Sequence, residues 1–351
     1  MLVYPQDHPL KTLPAVAVPA DDSARLSSRK TFLTAAGWAD AKLETFAEDA
    51  SFRRYFRLRR GSATLLLMDA PPPQERVAPF ADIAEHLLSL GLSAPVIHAR
   101  DDVDGWLLIE DFGDSTFTRL LADGHEEAPL YMRACEALIA LHQHPDAAAV
   151  DVPSYSSDVL VNEANLLVDW HFRAVRGELL DDVARRAYEK AWRYVIAALP
   201  TLPATLVLRD YHVDNLMLLA GRDGVRGCGL LDFQDALIGS PAYDFASLVE
   251  DARRTVSAPL VTRLWDQYLA ALPQVDGEVF AAWFRLLAAQ RHAKVAGIFV
   301  RLRDRDGKDG YIRHIPRVVA YLAEHLCHPQ LAPVADWFAR YYPEFETRVG
   351  P

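Results

Sequence analysis

Leu208-Arg209-Asp210-Tyr211-His212-Val213-Asp214-Asn215, followed seventeen residues after Asn215 by Asp232-Phe233-Gln234, decides how the rest of the chain is read. Thr205-Leu206-Val207-Leu208 is a short, β-rich apolar run leading into the first stretch, and Leu216 to Leu219 is a second that leaves it. Gly221-Arg222-Asp223-Gly224 is a turn signal, and Gly229-Leu230-Leu231 makes a third strand ending at Asp232. Two aspartates and an asparagine thus stand at strand ends or in loops, where a rigid scaffold can aim them at a ligand. Each residue alone would pass for an ordinary turn residue. In this order and context they match what phosphoryl transfer requires: a base that orients an acceptor hydroxyl, and oxygen ligands that hold Mg²⁺ on the phosphates. Asp210 is placed for the first role, Asn215 and Asp232 for the second.

The length of 351 residues favours two lobes or two small domains. A hydrophobic fraction of 51% with 24% charged residues is that of an ordinary globular protein. With 37 basic against 48 acidic residues the formal charge is −11, which argues against a nucleic-acid surface. Cys135, Cys228 and Cys327 have neither disulfide-framework nor zinc-site spacing. No apolar run is long enough to span a bilayer, and Met1-Leu2-Val3-Tyr4-Pro5 lacks the start of a secretory signal. The expectation is a cytoplasmic protein with a small-molecule partner, without nucleic acid, membrane or an obligate protein partner.

Residues 1–28 hold Pro5, Pro9, Pro14 and Pro19 with little periodicity and read as a loose extension. A helix is expected from about Ser27 through Trp38. Strand-like stretches follow at Phe52–Leu58 and Thr64–Met68, then the Pro71-Pro72-Pro73 break and a helix at about 77–90 that Gly91 stops. Two more strands, Pro95–Ala99 and Trp106–Ile109, flank an acidic turn. Beyond residue 115 the pattern is mainly helical except around 205–235. The fold class is therefore α+β and two-lobed. A small β-rich N-lobe covers 29–110, a connector 111–114, and a large, mainly helical C-lobe 115–351.

With these residues in place the chain resembles the aminoglycoside phosphotransferase/choline kinase superfamily, whose fold is protein-kinase-like. It is most similar there to the anomeric sugar kinases that act on N-acetylmuramate and N-acetylglucosamine in bacterial cell-wall recycling. The narrower likeness rests on Glu48 to Arg57, Leu67-Met68-Asp69-Ala70-Pro71-Pro72, Leu231 to Ala236, Gln290 to Phe299, and Arg305-Asp306-Gly307-Lys308. It implies an ATP- and Mg²⁺-dependent kinase for an amino sugar. Asp210 would be the catalytic base, and Asn215 and Asp232 the metal ligands. Ser51, Phe52, Arg53 and Arg54 would form the turn over the ATP phosphates, and Glu110 and Asp111 would belong to the connector that reads adenine. Gln234 and Asp235 would lie near the transferred phosphate or the sugar.

Several positions depart from the pattern. Leu208 stands where protein kinases carry histidine. The phosphate turn has no glycine run. Met68 occupies the third-strand position where a lysine normally meets the α- and β-phosphates, leaving Arg53 or Arg54 to supply that charge. Without such a cation the chain would read as a nucleotide-binding pseudokinase. Asp111-Phe112-Gly113 spells a metal-binding tripeptide but precedes Asp210, the wrong order for a metal loop. Arg291, Lys294, Arg301 and Arg305 recur at helical spacing. They read either as a solvated face or as cations toward an acceptor, for which Arg291, Lys294 and Arg301 are the candidates. An arginine fork suits the lactyl carboxylate of N-acetylmuramate. Cationic or neutral alcohols, such as aminoglycosides, choline or a homoserine-like compound, remain the alternative acceptors.

Overall fold

A computed structural model describes residues 22–46, 52–347 and 349. The chain separates into two compact units, one ending at Val77 and resuming at His98–Ile109, the other made of Ala78–Ile97 and Glu110 onward.

The first unit opens with helix α1 (Asp22–Ala35), followed by strands β1 (Lys42–Thr45), β2 (Arg54–Arg60) and β3 (Ala63–Asp69). Beyond helix α2 (Ala78–Ser89) come β4 (Ile97–Asp101) and β5 (Trp106–Glu110), giving a five-stranded sheet in the order β1-β2-β3-β5-β4. β2 and β3 form an antiparallel hairpin with Leu58 opposite Leu65 and Phe56 opposite Leu67. Strand alternation sends Leu58, Leu65 and Leu67 to one face, where they pack with Trp106, Leu108 and Phe32 and Leu33 of α1. α1 starts at Asp22, so residues 22–28 are helical instead of belonging to a loose extension. Polar anchors that hydrophobic periodicity does not register account for this. The Arg25 guanidinium lies 3.8 Å from the Trp106 ring centre and donates from Nε to Asp69 at 3.0 Å, while Trp106 Nε1 donates to Ser28 Oγ at 2.9 Å.

The second unit holds α2, α3 (Phe117–Ala122), α4 (Glu127–Gln143), α5 (Ser157–Leu166), a π-helical turn (Leu167–His171), α6 (Phe172–Arg176) and α7 (Asp182–Ala197). Four three-residue strands follow: β6 (Thr205–Val207), β7 (Leu216–Leu218), β8 (Cys228–Leu230) and β9 (Leu237–Gly239). The chain ends in α8 (Ala242–Val249), α9 (Ala258–Ala271), α10 (Gly277–Asp306), α11 (Ile315–Leu326) and α12 (Ala332–Tyr341). β6 pairs with β9 and β7 with β8, both antiparallel. The helix after the proline run, expected in the small lobe, belongs to this unit. Phe80 of α2 meets Phe233 at 5.0 Å between ring centres, and Ser93 O accepts from Leu230 N at 2.8 Å. Among the described residues no helix is long and apolar enough to cross a membrane.

α10, 30 residues long, is the strut of this unit. Asp276 caps its first turn by accepting from Glu278 N and Val279 N, and Gly307 ends it in the left-handed conformation at φ 67°. It passes so close to the end of α5 that a Cβ on Gly297 would sit 2.1 Å from the Leu166 carbonyl oxygen. Backbone cannot swing aside as a side-chain tip can. Gly297→Ala is therefore expected to destabilise the protein by at least about 2 kcal/mol, read as a lower urea midpoint with an unchanged slope. An unchanged midpoint would show that the crossing is looser than described.

Candidate active site

The geometry of the Leu208–Asn215 loop starts from a buried carboxylate. Asp244 lies in α8, every residue of which is buried, and is itself 0% exposed. Its Oδ2 accepts from Leu208 N at 2.6 Å and its Oδ1 from Arg209 N at 2.8 Å. Two successive backbone amides leaving β6 are thus pinned immediately before Asp210. Burial pushes the Asp244 carboxyl up to about 7, against the pull of those two amides. Arg209 is held at φ 71°, a left-handed conformation uncommon for residues other than glycine.

Asp210 follows, half-buried, and its side chain takes no hydrogen bond or ion pair among the described residues. Its backbone carbonyl accepts from His212 N at 3.1 Å and from Asn215 Nδ2 at 3.0 Å. Asn215 Nδ2 also lies 3.4 Å from Asp232 Oδ2, and Asn215 O accepts from Leu231 N at 3.0 Å. The pairing of β7 with β8 places Asn215, just before one strand, beside Leu231, just after the other, so that Asp232 follows one residue further on. Asp232 turns at φ 58°, and its Oδ1 accepts from Gln234 Nε2 at 2.8 Å. Gln234 Oε1 is buried with no hydrogen-bond partner. The Asp210 backbone, Asn215, Asp232 and Gln234 are therefore linked by hydrogen bonds. Asp235 is exposed, and its carbonyl accepts from Arg209 Nη1 at 3.1 Å.

The donor set fits Mg²⁺. Asn215 and Asp232 are neighbouring side chains, joined here through the amide nitrogen, whose amide and carboxylate oxygens are of the hard kind that Mg²⁺ takes, and the unpartnered Gln234 oxygen next to Asp232 suits a metal-bound water.

The other candidate residues are more dispersed. Ser51 lies outside the described residues, as do residues 47–50. In the first unit Phe52 is exposed, with its backbone N donating to Glu75 Oε1 at 3.2 Å. Arg53 is buried, with Nε 3.9 Å from Glu75 Oε2, and Arg54 donates from Nη2 to Asp69 Oδ2 at 2.7 Å. Met68 is fully buried opposite Tyr55. In the second unit the Glu110 carboxylate pairs with Arg222, and Asp111 Oδ1 accepts from Gly113 N at 2.9 Å, closing a turn.

The basic residues of α10 do not form one solvated stripe. Arg291 and Lys294 are buried and Arg301 is half-buried. Arg291 Nη1 has no hydrogen-bond partner, and its charge acts on Asp244 and Asp251. Lys294 Nζ lies 3.0 Å from Glu163 Oε1. Along a helix that rises 1.5 Å per residue, Arg291 and Arg301 are about 15 Å apart, too far to hold one carboxylate together.

Glu250, His292 and His325 form the group whose side chains lie close enough for a metal ion among the described residues. Their bonds are instead those of a closed network. Glu250 Oε2 accepts from His292 Nε2 at 2.7 Å and from His325 Nε2 at 2.9 Å. Burial would raise the Glu250 carboxyl, but the two imidazoles hold it down to about 2. His292 Nδ1 is buried without a partner, whereas a metal-bound histidine usually donates that N–H to an acceptor. The group ties α10 and α11 to the end of α8.

Residues 42–283 match the model of the phosphotransferase enzyme family. The chain belongs to the phosphotransferase enzyme family. This phosphotransferase is 36% identical to the N-acetylmuramate/N-acetylglucosamine kinase of Caulobacter vibrioides, over 93% of its own length and 99% of that protein's. It is 37% identical to the enzyme of the same name from Pseudomonas aeruginosa, over 87% and 91%. Its fold is similar to that of a choline/ethanolamine kinase family protein from Mesorhizobium loti, with TM-score 0.58 at 15% identity over 90% of this chain and 98% of that one. It is equally similar to ADP-bound aminoglycoside phosphotransferase APH(2'')-Ib, with TM-score 0.57 at 15% identity over 89% and 100%. The two-lobed α+β kinase-like fold read from the sequence is thereby established.

Sequence reasoning missed Asp244 and Glu163. For Asp244 a signal exists: a lone carboxylate inside Ala242-Tyr243-Asp244-Phe245-Ala246, a stretch otherwise apolar enough to be buried. Asp244→Asn leaves one oxygen for two amides, at a cost of about 1–3 kcal/mol, and should lower kcat at least ten-fold with a smaller change in KM. The folded pKa lies above the ordinary 3.8, so the stabilising contribution of Asp244 is complete below about pH 4 and fades as the pH rises towards about 7. Urea unfolding across that range should show this slope in the wild type and a flatter one in Asp244→Asn; identical slopes would contradict the assignment.

Proposed function

We propose that this phosphotransferase is an ATP- and Mg²⁺-dependent sugar kinase acting on the anomeric hydroxyl of N-acetylmuramate, N-acetylglucosamine or both. Its place would be in the cytoplasm, in peptidoglycan recycling. The observation that carries the reading is the bridge from Asn215 Nδ2 to the Asp210 carbonyl and the Asp232 carboxylate. It sets base and metal ligands in one frame. The names of relatives that match over most of the chain support the acceptor class.

In this reading Asp210 accepts a hydrogen bond from the sugar hydroxyl and takes its proton as the oxygen attacks the γ-phosphorus. The new O–P bond forms in line with the bond that breaks, and ADP leaves. Asn215 and Asp232 would hold Mg²⁺, which when bound neutralises charge on the phosphates. Gln234 orients the Asp232 carboxylate through its 2.8 Å hydrogen bond. The positive charge that Met68 cannot supply would come from Arg53 or Arg54, each steadied by an acidic neighbour. Backbone groups near Glu110 and Asp111 would read adenine. Arg291 is the better candidate for the lactyl carboxylate, because its charge acts on Asp244, the anchor of the loop, whereas Arg301 interacts with Arg305 and Asp306.

The test is ³¹P NMR of the protein with ATP and Mg²⁺, run once with each sugar. A sugar-1-phosphate signal growing as the γ-phosphate signal of ATP declines is the expected result. ATP binding without that signal, together with phosphorylation of an aminoglycoside, choline or homoserine, would overturn the acceptor. ATP binding without turnover of any acceptor would leave a pseudokinase.

A further inference from the structure

Arg209 stands directly before Asp210 in a conformation that costs a non-glycine residue about 1–2 kcal/mol. Glycine would avoid that cost, so the position asks what the arginine side chain contributes. It reaches in two directions. Nη1 donates to the carbonyl of Asp235, three residues beyond Asp232, at 3.1 Å, and Nη2 pairs with Glu163 of α5. The same Glu163 carboxylate is 3.0 Å from Lys294 Nζ of α10 and accepts from the Tyr155 hydroxyl and from Gln290 Nε2, the latter at 3.3 Å. Lys294 Nζ also lies 3.3 Å from the Tyr243 hydroxyl, next to Asp244. Burial alone would raise the Glu163 carboxyl, but Lys294 and Arg209 hold it below the usual carboxylate range.

One side chain therefore joins the loop of the base, the loop of the metal-binding aspartate and the helical body. Asp244 fixes the same loop by its backbone, so Arg209 is held at both ends. We propose that Arg209 is a positioning residue for phosphoryl transfer: anchored by Glu163 and Lys294, it sets the separation and aim of Asp210 relative to Asp232. The inference rests on reading Asp210 as the base.

Arg209→Gly is the informative variant. Glycine accepts the left-handed conformation without strain, and the Glu163–Lys294 pair that remains is neutral, so the fold is retained. Expected are a urea midpoint equal to the wild type, a kcat lowered ten-fold or more, and a KM for ATP within two-fold. Arg209→Asn, which tolerates the same conformation without the freedom of glycine, should behave alike. Glu163→Gln should lower kcat in the wild type but add no further loss to Arg209→Gly, since it acts through Arg209. If Glu163→Gln does not fold, the two Arg209 variants decide alone. A kcat within two-fold of wild type in Arg209→Gly, or equal losses from Glu163→Gln in both backgrounds, would overturn the proposal. An active Asp210→Asn enzyme would instead remove the base reading itself, so the two failures are distinguishable.

Discussion

The pair of hydrogen bonds from the amides of Leu208 and Arg209 to the buried Asp244 carboxylate is the constraint on which the site depends. A three-residue strand such as β6 cannot by itself hold a following loop to ångström precision. A carboxylate inside the protein can, because leaving either amide unpaired there would cost about 1–3 kcal/mol. The Asn215 bridge then carries that position to Asp232, and β7 paired with β8 fixes the distance between them. The chemistry is assembled by backbone placement, and the acidic side chains stand at its edge.

The legible parts of the sequence are the short apolar strands that flank the candidate residues. Asp210, Asn215 and Asp232 sit at the ends of short apolar strands, so their order and the strand periods reveal them together. α1 was read too short because Arg25 and Ser28 bind residues about 40–80 positions away, and such pairs leave no periodic trace. The packing of α2 is hidden for a similar reason: its apolar face is plain in the sequence, but its partner Phe233 is not. The charged stripe on α10 shows the reverse error. Helical spacing identifies a common face, yet only tertiary structure tells that Arg291 and Lys294 point inward, where Lys294 meets Glu163.

Charge in both units is organised around shared carboxylates. In the first, Asp69 receives Arg25 and Arg54. In the second, Glu163 receives Arg209 and Lys294, and Glu250 receives His292 and His325. A carboxylate that binds two donors fixes three pieces of chain at once, and each such group ties together elements distant in sequence.

The most direct test of the account is to measure nucleotide affinity and turnover of Asp210→Asn beside the wild type, with ATP, Mg²⁺ and the sugar that the wild type uses. The asparagine keeps the size of the side chain and the backbone bonds to His212 and Asn215 but cannot take a proton. Expected is wild-type ATP affinity with turnover reduced at least a hundred-fold, in keeping with loss of a general base. Turnover close to wild type would contradict it, because the loop that the whole second unit holds in place would then not be aiming a base.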